Sequence, residues 1–123
     1  MTGSTGARKP RARELGMYLP CAPGPFNAIT DVAGIAVGFT TIIETEPRPG
    51  RPFPVRTGVT AIVPFRDRDE PQPLYAGFHR FNGNGELTGS HWIEDGGYLL
   101  GPVLITNTHS VGTVHQAAIR WML

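Results

Sequence analysis

The sequence predicts a mixed α/β (α+β) fold on three observations. Residues 35–43 and 58–64 are two β-rich stretches bounded by turn residues. A compact apolar run at 102–106 leads into a stretch whose apolar residues recur every three or four positions. The 123 residues include 16 Gly and 12 Pro, so many turns and few long helices are expected, which argues against a helical bundle.

The elements follow in order. Residues 1–10 are polar and basic and bury nothing, so a disordered tail is expected there. Residues 11–17 suit one short helical turn ended by Gly16, before a Pro/Gly loop at 21–25. Asp31 and Gly34 form a turn ahead of the first strand, 35–43. A proline-rich loop at 46–54 joins it to the second, 58–64, where Val59, Ala61 and Val63 alternate, and the two make a plausible hairpin. Residues 67–73 read as an exposed connection and 74–79 as a short extended segment.

Further on, Thr88 or Ser90 is available to cap a short helix through His91, Trp92, Ile93 and Glu94, with Gly96 and Gly97 as its stop. The apolar run 102–106 reads as a buried strand. From Ser110, the residues Val111, Val114, Ala118 and Trp121 mark a helix with one buried face. That helix is still running at Leu123, so the chain is expected to be incomplete.

Composition excludes several functions. A net charge of +1 with scattered arginines offers no basic field for nucleic acid. The single Cys21 rules out an internal disulfide and a four-cysteine zinc site, and is expected to be a small, partly buried thiol. No apolar run approaches the roughly 20 residues of a membrane helix, and no signal-like stretch follows the basic start, so a cytoplasmic location is expected. The four histidines, His79, His91, His109 and His115, lack paired ligand spacing, so no metal and no cofactor is implied. There is no Gly-x-Ser-x-Gly elbow, phosphate loop or dinucleotide site.

Two segments could carry chemistry. In Asn82-Gly83-Asn84-Gly85-Glu86-Leu87-Thr88-Gly89 two Asn-Gly pairs give the backbone unusual freedom around a carboxylate. It reads either as a plain hairpin turn with a solvated glutamate or as a loop where Glu86 receives a peptide's charged amino end, shaped by Asn82 and Asn84. In Thr106-Asn107-Thr108-His109-Ser110 a strand hands over to a helix, where free N–H groups can hold a carbonyl oxygen; simple capping by Ser110 or Thr108 explains the same residues. Trp92 and Trp121 are expected to be core residues.

Several segments in order resemble the β-peptidyl aminopeptidase and L-aminopeptidase/D-Ala-esterase family of N-terminal-nucleophile hydrolases. They are Arg11-Ala-Arg-Glu-Leu-Gly16, Gly24-Pro-Phe-Asn-Ala-Ile-Thr-Asp-Val-Ala-Gly34, Val55-Arg-Thr-Gly-Val-Thr-Ala61, the Asn82 to Gly89 segment, His91-Trp-Ile-Glu94 and Thr106-Asn-Thr-His-Ser-Val-Gly112. The resemblance implies an αββα sandwich of the L-aminopeptidase/ornithine acetyltransferase-like type, incomplete in this chain, with residues 11–123 forming the N-terminal portion of one self-processing hydrolase domain. It implies a precursor that cuts itself to free a serine, whose α-amino group is the general base. That serine is absent, so no catalytic residue is expected in this chain, and neither Ser90 nor Ser110 fills the role.

The implied substrate is a peptide, amide or ester that loses its N-terminal residue, with β-amino acids or D-alanine accepted in some members. The implied substrate-binding residues are Glu86, Asn84, Asn82, Trp92 and Asn107, and the implied partners are a C-terminal catalytic chain and further processed copies in a homo-oligomer. Two alternatives stand beside this: a nylon-oligomer type of amide hydrolase with a threonine nucleophile, and a non-catalytic remnant or assembly partner.

Overall fold

A computed structural model describes residues 8–64 and 72–123. Its elements are strand β1 (Ala36–Glu44), strand β2 (Val55–Val63), strand β3 (Leu74–Tyr75), helix α1 (Ser90–Gly96), strand β4 (Tyr98–Leu99), strand β5 (Val103–Ile105) and helix α2 (Val111–Met122). The expected tail lies mostly outside the described residues, as does most of the connection at 67–73.

β1 and β2 form the expected hairpin, antiparallel from Ala36↔Val63 to Glu44↔Val55. β2 begins earlier than its apolar alternation suggests, because Val55, Arg56 and Thr57 pair with Glu44, Ile43 and Ile42. The hairpin loop closes on Pro49 and Gly50: Arg48 and Arg51 exchange backbone hydrogen bonds of 3.0 and 2.8 Å, and Gly50 takes φ +77°. Proline followed by a left-handed glycine is the preference of a type II turn. Glu44 holds the base of the loop through ion pairs with Arg51 and, at 3.6 Å, with Arg48.

β5 adds antiparallel to β2, giving a three-stranded sheet in the order β1-β2-β5. The expected buried strand is therefore a short sheet edge, and Ile105 remains exposed. The segment at 74–79 contributes two residues, paired with β4, which the sequence did not reveal. Neither Thr88 nor Ser90 caps α1: Gly89 is its N-cap at φ +88°, with no side-chain bond. Gly97, at φ +71°, ends the helix as expected and donates its N–H to Ile93.

Residues 8–34 are held by charged side chains that bond to backbone. A 3-10 turn, Ala12–Leu15, ends at Gly16 with φ +81°. Arg11 donates to the carbonyls of Phe26 (2.6 Å) and Asn27, and Arg13 to those of Leu19 (2.9 Å) and Cys21 (2.6 Å). Glu14 accepts from the Arg11 N–H at 2.7 Å and pairs with Arg8.

Three burial expectations need correction. Among the described residues none is buried, Trp92 and Trp121 are 54% and 58% exposed, and Cys21 is exposed. The physical reason is that sheet and helices have apolar faces that none of the described residues covers.

Candidate functional site

The segment 82–89 is an open loop leading into α1. Gly83 takes φ +70°, and the Asn82 side-chain oxygen accepts the Asn84 N–H at 3.0 Å, closing a small Asx turn. Glu86 follows, its Oε1 accepting from the Thr88 hydroxyl at 3.3 Å. α1 then presents Trp92, which meets Tyr98 edge-to-face with ring centroids 5.3 Å apart and planes at 82°. Arg80 reaches Glu94 at 3.7 Å across the same region.

Two cavities flank this loop. One of about 430 Å³ lies between the loop, α1, β5 and α2, with Trp92, Ile93, Leu104, Val114 and Ala118 among its apolar walls. Its side-chain polar groups are Glu86, Thr88, Thr106 and His115. The other, about 200 Å³, is formed by residues 78–87, including Asn82, Asn84 and Glu86. Glu86 is thus common to both walls. A carboxylate at a mainly apolar cavity of this size suits a small molecule with a cationic end and an apolar body.

The structure therefore brings Glu86 and Trp92 to one cavity and Asn82, Asn84 and Glu86 to the adjoining one. Asn107 lines neither; its amide bonds to Thr57 (2.6 Å), Ser110 (2.9 Å) and the His109 N–H (3.1 Å). The side chain that caps at this junction is therefore Asn107, at the start of the 3-10 turn Thr108–Ser110, while Ser110 holds the N-cap position of α2 without a side-chain cap bond. His115 was not among the residues singled out from the sequence. The available signal was its place four residues after Val111 and three before Ala118, on the helix face that walls the cavity.

Among the described residues no three His, Cys, Asp or Glu side chains gather as a metal site, and no helix is long and apolar enough to cross a membrane.

Comparison with known proteins decides the family. The model of peptidase family S58 matches residues 27–123. The chain belongs to peptidase family S58.

This S58 chain is 48% identical over 123 residues to a β-peptidyl aminopeptidase, BapA, of Sphingosinicella microcystinivorans, covering 99% of this chain and 31% of that protein. It is 45% identical over 114 residues to the BapA of Sphingosinicella xenopeptidilytica, covering 91% and 28%. Among solved structures it superposes on the L-aminopeptidase D-Ala-esterase/amidase of Ochrobactrum anthropi with a TM-score of 0.85 at 66% identity, over 93% of this chain and 31% of that one. That protein is described as a prototype for the serine aminopeptidases and a new variant among the Ntn hydrolase fold. A protein of Pyrococcus horikoshii matches with a TM-score of 0.79 at 36% identity, over 91% and 32%.

The S58 chain thus spans about a third of the length of these relatives and carries part of the Ntn hydrolase fold. The resemblance read from its motifs and the mixed α/β class both hold.

Proposed function

We propose that this chain supplies the amino-end-binding part of a serine aminopeptidase that releases N-terminal residues from peptides, amides or esters. The observation that carries the reading is the position of Glu86 on the Asn-Gly loop, in the walls of both cavities. A substrate's ammonium group would pair with Glu86, Asn82 and Asn84 would hold the loop's shape, and Trp92 would line the pocket for an apolar side chain. The names of the S58 relatives, β-peptidyl aminopeptidase and L-aminopeptidase D-Ala-esterase, support the reaction class.

The nucleophile in this proposal is a serine freed by autoproteolysis in a C-terminal portion, and this chain alone is inactive. Processed copies assemble as a homo-oligomer, and a cytoplasmic location belongs to the same proposal. Intact-mass analysis of the full gene product should find two polypeptides, the second beginning with serine; a single unprocessed chain that nevertheless releases amine would refute self-cleavage.

The role of Glu86 is tested by Glu86→Gln in the full-length enzyme, assayed by amine release from a β-alanyl or D-alanyl amide. Loss of a charge-assisted bond should raise KM about tenfold with little change in kcat. Unchanged KM and an unchanged preference for a free amino terminus would remove Glu86 from the site.

A further inference from the structure

The β2–β5 ladder ends at Thr60↔Ile105. Past that pair the chain stays joined to β2 by side chains. The Thr106 hydroxyl donates to the Gly58 carbonyl at 2.8 Å, and Asn107 Nδ2 donates to Thr57 Oγ1 at 2.6 Å. The same Nδ2 donates to Ser110 Oγ at 2.9 Å, while Asn107 Oδ1 accepts the His109 N–H at 3.1 Å. An asparagine amide has two N–H donors, and here both have partners.

α2 starts directly after this knot, and its Val111, Val114, His115 and Ala118 form one wall of the larger cavity. Thr57, at the other end of the linkage, lines neither that cavity nor the smaller one beside Glu86. We propose that Asn107, bridging Thr57 of β2 to the first turn before α2, is a positioning residue that sets the α2 wall of the substrate cavity. It acts through α2 and not by touching substrate, since its donors are already engaged. This inference rests on the reading of the cavity as the substrate site.

Each bond in the knot has a distinct job. Thr106 and Thr57 anchor to the sheet, and the bond to Ser110 carries that anchorage to the last residue before the helix. Asn107 Oδ1, accepting the His109 N–H, satisfies one of the N–H groups that the start of the 3-10 turn Thr108–Ser110 leaves free. Thr57→Val removes the anchor of Asn107 on the sheet, leaving that of Thr106, without altering any residue of either cavity wall. Thr57→Ser retains the hydroxyl and should restore function.

The test uses the full-length enzyme, with KM, kcat and amide hydrogen exchange at His109 measured for Thr57→Val, Thr57→Ser, Asn107→Leu and Glu86→Gln. Thr57→Val should speed His109 exchange and raise KM about threefold to tenfold, with kcat within about twofold of the parent, because one hydrogen bond is lost at a distance from the chemistry. Thr57→Ser should return both readouts to the parent values. Unchanged His109 exchange in Thr57→Val would overturn the positioning role of Asn107. So would faster exchange with unchanged KM while Glu86→Gln raises KM, which would leave the cavity reading standing. A fall in kcat for Asn107→Leu at unchanged KM would place Asn107 against the reacting atoms and overturn its positioning role. If Thr57→Val behaves as expected and Glu86→Gln does nothing, the ammonium role of Glu86 fails and the positioning role stands.

Discussion

At the scale of single residues, two positions show how tightly the backbone depends on side-chain identity. The Asp31 carboxylate accepts the N–H groups of Ala28 (3.0 Å) and Phe26 (2.8 Å), and these bonds hold its pKa below the usual aspartate value, Ala28 contributing most. Because the folded value is depressed, the stability this group contributes is complete above the ordinary aspartate range and is lost as pH falls through the lowered value. In the full-length enzyme the amide NMR shifts of Ala28 and Phe26 should follow one titration with a midpoint below the ordinary aspartate range. Asp31→Asn should abolish it, and a midpoint at or above that range would contradict the assignment. The second position is Gly58, where a Cβ would stand 2.4 Å from the Thr40 carbonyl oxygen. Gly58→Ala should therefore lower stability by about 1–3 kcal/mol, as overpacking does, and thermal unfolding of the full-length enzyme would show it. An unchanged melting temperature would mean that β1 yields at no cost.

At the scale of elements, α1 is a short helix terminated by a left-handed glycine. Gly97→Ala should cost about 1 kcal/mol, because φ +71° suits glycine and strains alanine, and denaturant unfolding measures it. How far the elements were legible follows from the same physics. β1, β2, β5 and α2 carry strong local patterns and lie within three residues of where those patterns place them. β3 and β4 are two residues each, and their pairing joins Leu74 to Leu99 across a long loop and a helix, so no local pattern marks them. The junction before α2 was visible as a capping region, but the capping side chain was not. Asn107 also donates to Thr57, fifty positions away in sequence, a contact that no local pattern marks. The Asn-Gly loop stood out by composition, whereas the meeting of Glu86 with His115 at one cavity arises from folding of distant segments.

At the scale of the whole molecule, many large apolar side chains stand exposed, Phe39, Phe53 and Phe81 among them. The chain exposes 10484 Å², whereas a folded monomer of its mass exposes about 6,500 Å². The strand register places Val37, Phe39, Ile43, Ile62, Val103 and Ile105 on one face of the sheet, with Phe39 78% and Ile43 65% exposed. Among the described residues, nine-residue β1 is also an edge of its sheet, a form of surface that invites strand pairing. The difference is about 4,000 Å² of total surface, polar and apolar together. It agrees with a chain that spans about a third of its relatives' length. Produced by itself, this polypeptide should therefore associate or precipitate, and size-exclusion chromatography with light scattering should find little of a 13.3 kDa species. Phe39→Lys with Ile43→Lys, which break up the apolar face and charge the edge strand, should raise the monomer fraction. A monodisperse monomer from the unaltered chain would mean that it closes its own core by rearranging, and that the open sheet face is not present in solution.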